Sequence, residues 1–156
     1  MRDLPSIETL RQTFVVYDGN LYWRTRFKLA GTINTKGYRV VNFAKQMFRA
    51  HRIIFALANN RWPTLQIDHI NGDKLDNRLE NLREATAFQN CHNRSIGVRN
   101  KSGRKGVFWN KAENRWQARI TVNGTRIFLG SHKDVALAAF IYECAAEKYH
   151  GEFARL

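Results

Sequence analysis

At 156 residues with 44% hydrophobic side chains, the chain has enough apolar material for one ordinary domain or two small ones, which argues against disorder. Its 26 Lys and Arg against 13 Asp and Glu leave a net charge of +13 and a pI near 10.4, a field that gathers polyanions, so nucleic acid is the expected partner and an anionic membrane surface the plainer competitor. No apolar run reaches bilayer-spanning length and Met1-Arg2-Asp3-Leu4-Pro5 lacks the apolar stretch of a signal peptide, so a cytoplasmic, non-secreted protein is expected.

In chain order, Pro5-Ser6-Ile7-Glu8 starts a helix with Leu10 and Phe14 on one face. Residues 15–17 and 21–23 flank Asp18-Gly19, which supplies the positive φ angles of a hairpin turn. Residues 38–43 read as a strand with Met47-Phe48 as its partner, and 51–57 as a short helix carrying Ile53, Ile54 and Leu57. The central segment reads strand (65–69), turn (Asn71-Gly72), short strand (81–84), helix. Thr86 and Gln89 form a capping box that places Asn90 about one turn into that helix. Residues 94–104 are polar and basic with two glycines, the composition of a flexible linker that DNA could order.

The last fifty residues predict a separate unit. Residues 106–109 form a strand, and 115–122 alternate, with Arg115, Gln117, Arg119 and Thr121 on one face and Trp116, Ala118, Ile120 and Val122 on the other. Asn123-Gly124 turns the chain into a third strand at 126–129. Ser131, with Asp134 three residues on, is expected to cap a helix that runs to about Tyr149 and stops at Gly151. Trp109 and Trp116 read as core. Cys91 and Cys144 form no CxxC pair, which argues for reduced thiols and against a structural zinc on four Cys or His ligands.

Chemistry concentrates between residues 65 and 90. Ile67-Asp68-His69-Ile70-Asn71-Gly72 alone reads equally well as a polar hairpin. His69 and Asn81 are twelve positions apart, and Asn81 and Asn90 nine, so a carboxylate, an imidazole and carboxamides recur on two strands and a helix. Oxygen donors suit a hard cation, and a neutral imidazole can take a proton from water. Together with Asp76-Asn77-Arg78, Glu80-Asn81-Leu82-Arg83 and Gln89-Asn90, residues 51–94 resemble the HNH endonucleases, in particular the homing type common in phages.

The resemblance implies an α+β chain with a ββα-metal (His-Me finger) nuclease unit. In it Asp68 and Asn90 are metal ligands, His69 is the general base, and Asn81 ties the loop together without touching substrate. Mg²⁺ is the expected ion, with Mn²⁺ as the substitute. His51, Arg52 and His92 are candidate phosphate contacts, and His92 is the alternative ligand should the helix register shift. His132 and His150 have no expected catalytic part.

Lys105-Gly106-Val107, residues 116–120 and 126–130, Ala136-Leu137-Ala138-Ala139 and residues 145–151 resemble the Apetala-two-type DNA-binding domain of ethylene-response factors. The resemblance implies a three-stranded antiparallel sheet packed on one C-terminal helix and laid in the major groove. Gln117, Arg119, Thr121, Arg126 and Phe128 would face bases, and Arg104, Lys105, Lys111 and Arg115 phosphates. Thr121 departs from the basic residue usual there, so no target sequence carries over.

The expected layout is a nuclease domain at 1–94 (motif 51–94), a basic linker at 95–104 and a DNA-binding domain at 105–156. The expected function is a site-specific, homing-type DNA endonuclease, a monomer or weak dimer on double-stranded DNA, which nicks one strand because the motif occurs once. A non-cleaving DNA-binding regulator is the alternative. A structured-RNA binder also fits the charge, but the A-form major groove is too narrow for a sheet.

Overall fold

The computed structural model describes residues 3–94, 96–97 and 100–155. The chain divides into two compact units, Met1–Thr86 and Ala87–Leu156. This division falls before the helix that follows Thr86, not in the expected 95–104 stretch.

The first unit opens with helix α1 (Ile7–Thr13), capped by Ser6, whose side chain accepts from the Thr9 N–H. Strands β1 (Phe14–Tyr17) and β2 (Asn20–Trp23) form the expected hairpin, with Asp18 and Gly19 both at positive φ. A short third strand, β3 (Lys28–Leu29), joins β2. A second small sheet holds β4 (Thr32–Ile33), β5 (Arg39–Phe43) and β6 (Gln46–Arg49), in that order. Neither β3 nor β4 is legible in the sequence, since two residues are too few to show a period. Helix α2 (Ala50–Asn59) follows β6 directly and ends on Asn60 in the left-handed conformation. Leu10, Phe14, Leu21, Val41, Phe48, Ile53 and Ile54 bury against one another, and Phe14 meets Trp23 and Phe43 at ring distances of 4.8 and 5.2 Å. Each such side chain contributes roughly 1.5–3 kcal/mol by leaving water. This core also takes in Ile67 and Leu82 from the antiparallel pair β7 (Gln66–His69) and β8 (Leu82–Ala85).

The second unit begins with the short helix α3 (Ala87–His92). Strands β9 (Val107–Asn110), β10 (Arg115–Val122) and β11 (Thr125–His132) form an antiparallel sheet ordered β11-β10-β9. Helix α4 (Val135–His150) packs Ala138, Ala139, Tyr142 and Ala146 on Val107, Ala118 and Ile120. Gly106 is required where it stands: at φ +69° any Cβ would lie 2.0 Å from the Tyr142 ring. The helix cap differs from expectation. Asp134, not Ser131, is the N-cap and accepts from the Ala136 N–H at 2.8 Å. The reason is that β11 continues until His132 pairs with Trp116, so Ser131 is still strand and its hydroxyl donates to Glu113 at 2.7 Å. Trp109 also differs. It lies on the edge strand β9 and is 43% exposed, with only its ring edge against the half-buried Trp116.

Helix α3 belongs to the second unit for local reasons. The His92 ring stacks on His150 at 3.5 Å, and Lys105 Nζ donates to the His92 carbonyl at 2.5 Å. Of the expected linker, Ser95, Val98 and Arg99 lie outside the described residues. The stretch from Asn100 to Arg104 is a hydrogen-bonded turn: Asn100 Nδ2 donates to the Arg104 carbonyl at 2.7 Å, and Ser102 Oγ donates to the Val107 carbonyl at 2.9 Å.

Candidate active site and nucleic-acid interface

Strand β7 ends on Asp68 and His69, which are 5% and 4% exposed. Pairing with β8 sets Asp68 directly across from Arg83, and His69 across from Leu82. Opposite charges in a cross-strand pair attract. Arg83 Nε and Nη2 both donate to Asp68 Oδ2, at 3.1 and 3.0 Å. The carboxylate is thereby oriented and its charge balanced in a buried setting. His69 Nε2 lies 3.0 Å from Asn77 Oδ1, and Asn77 is itself buried.

Around His69 sits a small ring cluster. His51 meets it edge-on at 4.9 Å, and Tyr38 lies 5.5 Å from His51 and 6.1 Å from His69. Arg49 and Lys74 cover the Tyr38 ring at 4.3 and 5.0 Å. Burial above all, with the His69 ring and then Arg49 and Arg52 nearby, lowers the His51 pKa to about 3, so His51 is a neutral ring. At 2% exposure His51 is a buried packing partner of His69, not the surface group that its expected phosphate contact assumed. Arg52 is likewise engaged, with Nη1 on the Leu65 carbonyl and Nη2 on the Pro63 carbonyl, both at 3.1 Å. It anchors the chain that leads into β7. Glu84 does the same from the other strand. It accepts from the Thr64 and Leu65 N–H groups and pairs with Arg61, and that pairing is the main cause that lowers its pKa to about 2.

The loop from residue 70 to 81 is tied by Asn81. Its Oδ1 accepts from the Asn71 N–H at 2.9 Å, and its Nδ2 donates to the Asp76 carbonyl at 2.7 Å. Asp76 in turn receives Arg78 Nε and Nη2 at 2.8 Å each, and Asn71 Nδ2 at 2.8 Å. Hydrogen bonding to Arg78 holds its carboxyl well below the usual range. Asp68, His69 and Asn81 thus belong to one local arrangement in the first unit. Asn90 lies half-buried in α3 of the second unit.

Among the described residues no three His, Cys, Asp or Glu cluster as a metal site would need. The expected donors are instead oxygens, one carboxylate and one carboxamide. That donor chemistry fits a hard cation such as Mg²⁺ rather than zinc.

Arg83 and Asn77 lie in stretches that the sequence singled out, but sequence reasoning gave neither a role. Arg83 could have been found from the register of the β7–β8 pair. Asn77, in an irregular loop, leaves no periodic signal.

On the second unit, an open cleft of about 530 Å³ runs over the sheet face away from α4, with Lys111, Gln117, Arg119, Thr121 and Arg126 along it. Phe108, Trp109 and Asn110 complete the lining; they were not expected there, and the two aromatics stand 52% and 43% exposed. Phe128, paired with Arg119, is 56% exposed. Gln117 is more enclosed than expected, since its carboxamide donates to Glu113 and accepts from Arg119. Arg104 and Arg115 are exposed. Lys105 is half-buried: its ammonium donates to the His92 and Arg155 carbonyls, and burial lowers its pKa to about 8. His92 is stacked on His150, and burial lowers its pKa too.

Comparison with known proteins decides the family. The HNH endonuclease profile matches residues 48–92, the stretch that holds β7, β8 and α3. An uncharacterized HNH endonuclease of Acanthamoeba polyphaga mimivirus is 32% identical over 134 residues, 85% of this chain and 68% of that protein. The chain belongs to the HNH endonuclease family. Protein 3.8 of Escherichia phage T7 is 35% identical over 115 residues, 71% of this chain and 94% of the phage protein. Among solved structures, the HNH homing endonuclease I-HmuI is 20% identical with a TM-score of 0.45, covering 92% of this chain and 81% of that one. As an HNH endonuclease the chain is a phosphodiester-cleaving enzyme. None of its described helices is long and apolar enough to cross a membrane.

Proposed function

We propose that this HNH endonuclease uses a divalent metal to hydrolyse a phosphodiester of double-stranded DNA. It cuts one strand per encounter, in the ββα-metal manner that the order β7, β8, α3 suggests. The observation that carries the reading is the Asp68-His69 pair at the buried end of β7, each side chain held by its own polar partner. A solvated hairpin has no use for two buried ionisable groups fixed in this way.

In this mechanism His69, with a neutral ring, takes a proton from water. The water oxygen bonds to phosphorus. The P–O3′ bond breaks with its electron pair on the leaving oxygen, which takes a proton from solvent. Asp68 would hold the metal, with Asn90 the further ligand that the family resemblance implies; when bound, the metal would offset the negative charge that builds on the phosphate oxygens. Arg83 keeps the Asp68 carboxylate oriented. Asn81 keeps the loop beside His69 in shape.

The second unit would hold the duplex, its Apetala-two-like sheet face lying in the major groove. Arg119 and Arg126 are matched to guanine, and Phe108 and Phe128 to thymine methyl groups. Lys111, Arg104 and Arg115 would neutralise phosphates. Site specificity of the homing type would come from this face.

The test is supercoiled plasmid carrying DNA from the source genome, incubated with Mg²⁺, with Mn²⁺ or with chelator. Open circles that form only with metal, and not with His69→Ala, are the expected result. Linear product at the first turnover would mean paired active sites. Plasmid that is bound but intact would favour a regulator.

A further inference from the structure

Resting on the nuclease reading of His69, we propose that Asn77 is its positioning residue. It fixes the ring in the tautomer with the proton on Nε2, so that Nδ1 carries the lone pair that takes the proton from water. A carboxamide oxygen can only accept a hydrogen bond, so the 3.0 Å contact between Asn77 Oδ1 and His69 Nε2 requires Nε2–H as donor. Both residues are buried, at 2% and 4% exposure, which removes water as a substitute partner.

The carboxamide is also rigidly mounted. Asn81 clamps the Asp76 carbonyl on its N-terminal side. On its C-terminal side Arg78 is locked to the Asp76 carboxylate. Behind it the β1–β2 turn abuts the chain: a Cβ at Gly19 would lie 2.7 Å from the Arg78 nitrogen and 3.1 Å from the Asn77 carbonyl carbon. The N-terminal hairpin is therefore a support for the catalytic histidine, by way of the Asn77 loop.

The experiment compares wild type, Asn77→Leu and Asn77→Asp. The first readout is the ¹⁵N spectrum of the neutral His69 ring, which reports the protonated nitrogen. The second is the split between DNA affinity and turnover in plasmid nicking. Wild type should show Nε2–H. Asn77→Leu, similar in size but without an acceptor, should lose the single tautomer and roughly 10–100-fold in turnover at unchanged DNA affinity. Asn77→Asp keeps the acceptor and should restore the tautomer and most of the turnover. Nδ1–H in the wild type, or equal turnover in Asn77→Leu, would overturn the proposal. Should Asn77→Leu fail to fold, the wild-type spectrum and Asn77→Asp still decide it. A wild type with Nε2–H that nicks no DNA would contradict the nuclease reading while upholding the His69–Asn77 pairing.

Discussion

The end of β7 and the open face of the β9–β10–β11 sheet use polar residues in opposite ways. At β7 the polar groups are buried and held by specific partners, as Asp68 is by Arg83 and His69 by Asn77. On the sheet face, cations and large aromatics stand in solvent around a broad cleft. The first arrangement suits chemistry, where a misplaced atom is costly and rigidity is rewarded. The second suits recognition of a large charged surface, where area and field matter more than any one contact.

Substitutions in the two regions should therefore fail differently. The largest effect is expected for His69→Ala. Loss of a general base should slow nicking by roughly 10²–10⁴-fold, measured as the initial rate of open-circle formation, with DNA affinity kept.

Next is Arg83→Ala, which leaves the Asp68 carboxylate buried without its guanidinium. Urea unfolding should show a loss of about 3–5 kcal/mol, and the double variant Asp68→Leu/Arg83→Met should recover most of it. A loss under 1 kcal/mol in the single variant would show that the pair is not buried as described.

Smaller is Arg119→Ala on the sheet face. It should weaken discrimination at one base pair by about 1–3 kcal/mol in competition binding and leave the urea midpoint nearly unchanged.

The smallest is a pH effect at Glu84. Its folded-state pKa is lowered from 4.5 to about 2, so its contribution to stability is present above pH 4.5 and is lost as the pH falls towards 2. Glu84→Gln should flatten the melting temperature over that window, and a parallel curve would remove this carboxylate from the acid response.

Legibility in the sequence follows the same divide. The HNH stretch could be recognised because its chemistry demands particular side chains at fixed spacings, and Asn81 could be read as the residue that ties its loop. The alternation of β10 could be read because one face had to pack on α4. Contacts set by register or by an irregular loop could not. Arg83 was part of a recognised stretch, but its role needs the knowledge that it lies opposite Asp68. Asn77 sits in a loop with no period. Ser131 looked like a cap because local sequence does not reveal that β11 runs on to His132. Lys105, His51 and Arg52 looked like surface groups, yet tertiary packing turns each inward.

The most direct measurement takes binding and cleavage together, on one duplex, for wild type, His69→Ala and Arg119→Ala. The account predicts that His69→Ala keeps the wild-type Kd and loses nicking, whereas Arg119→Ala weakens site preference and keeps the wild-type rate once DNA saturates the enzyme. Nicking by His69→Ala at the wild-type rate, or a parallel loss of binding and rate in both variants, would contradict it.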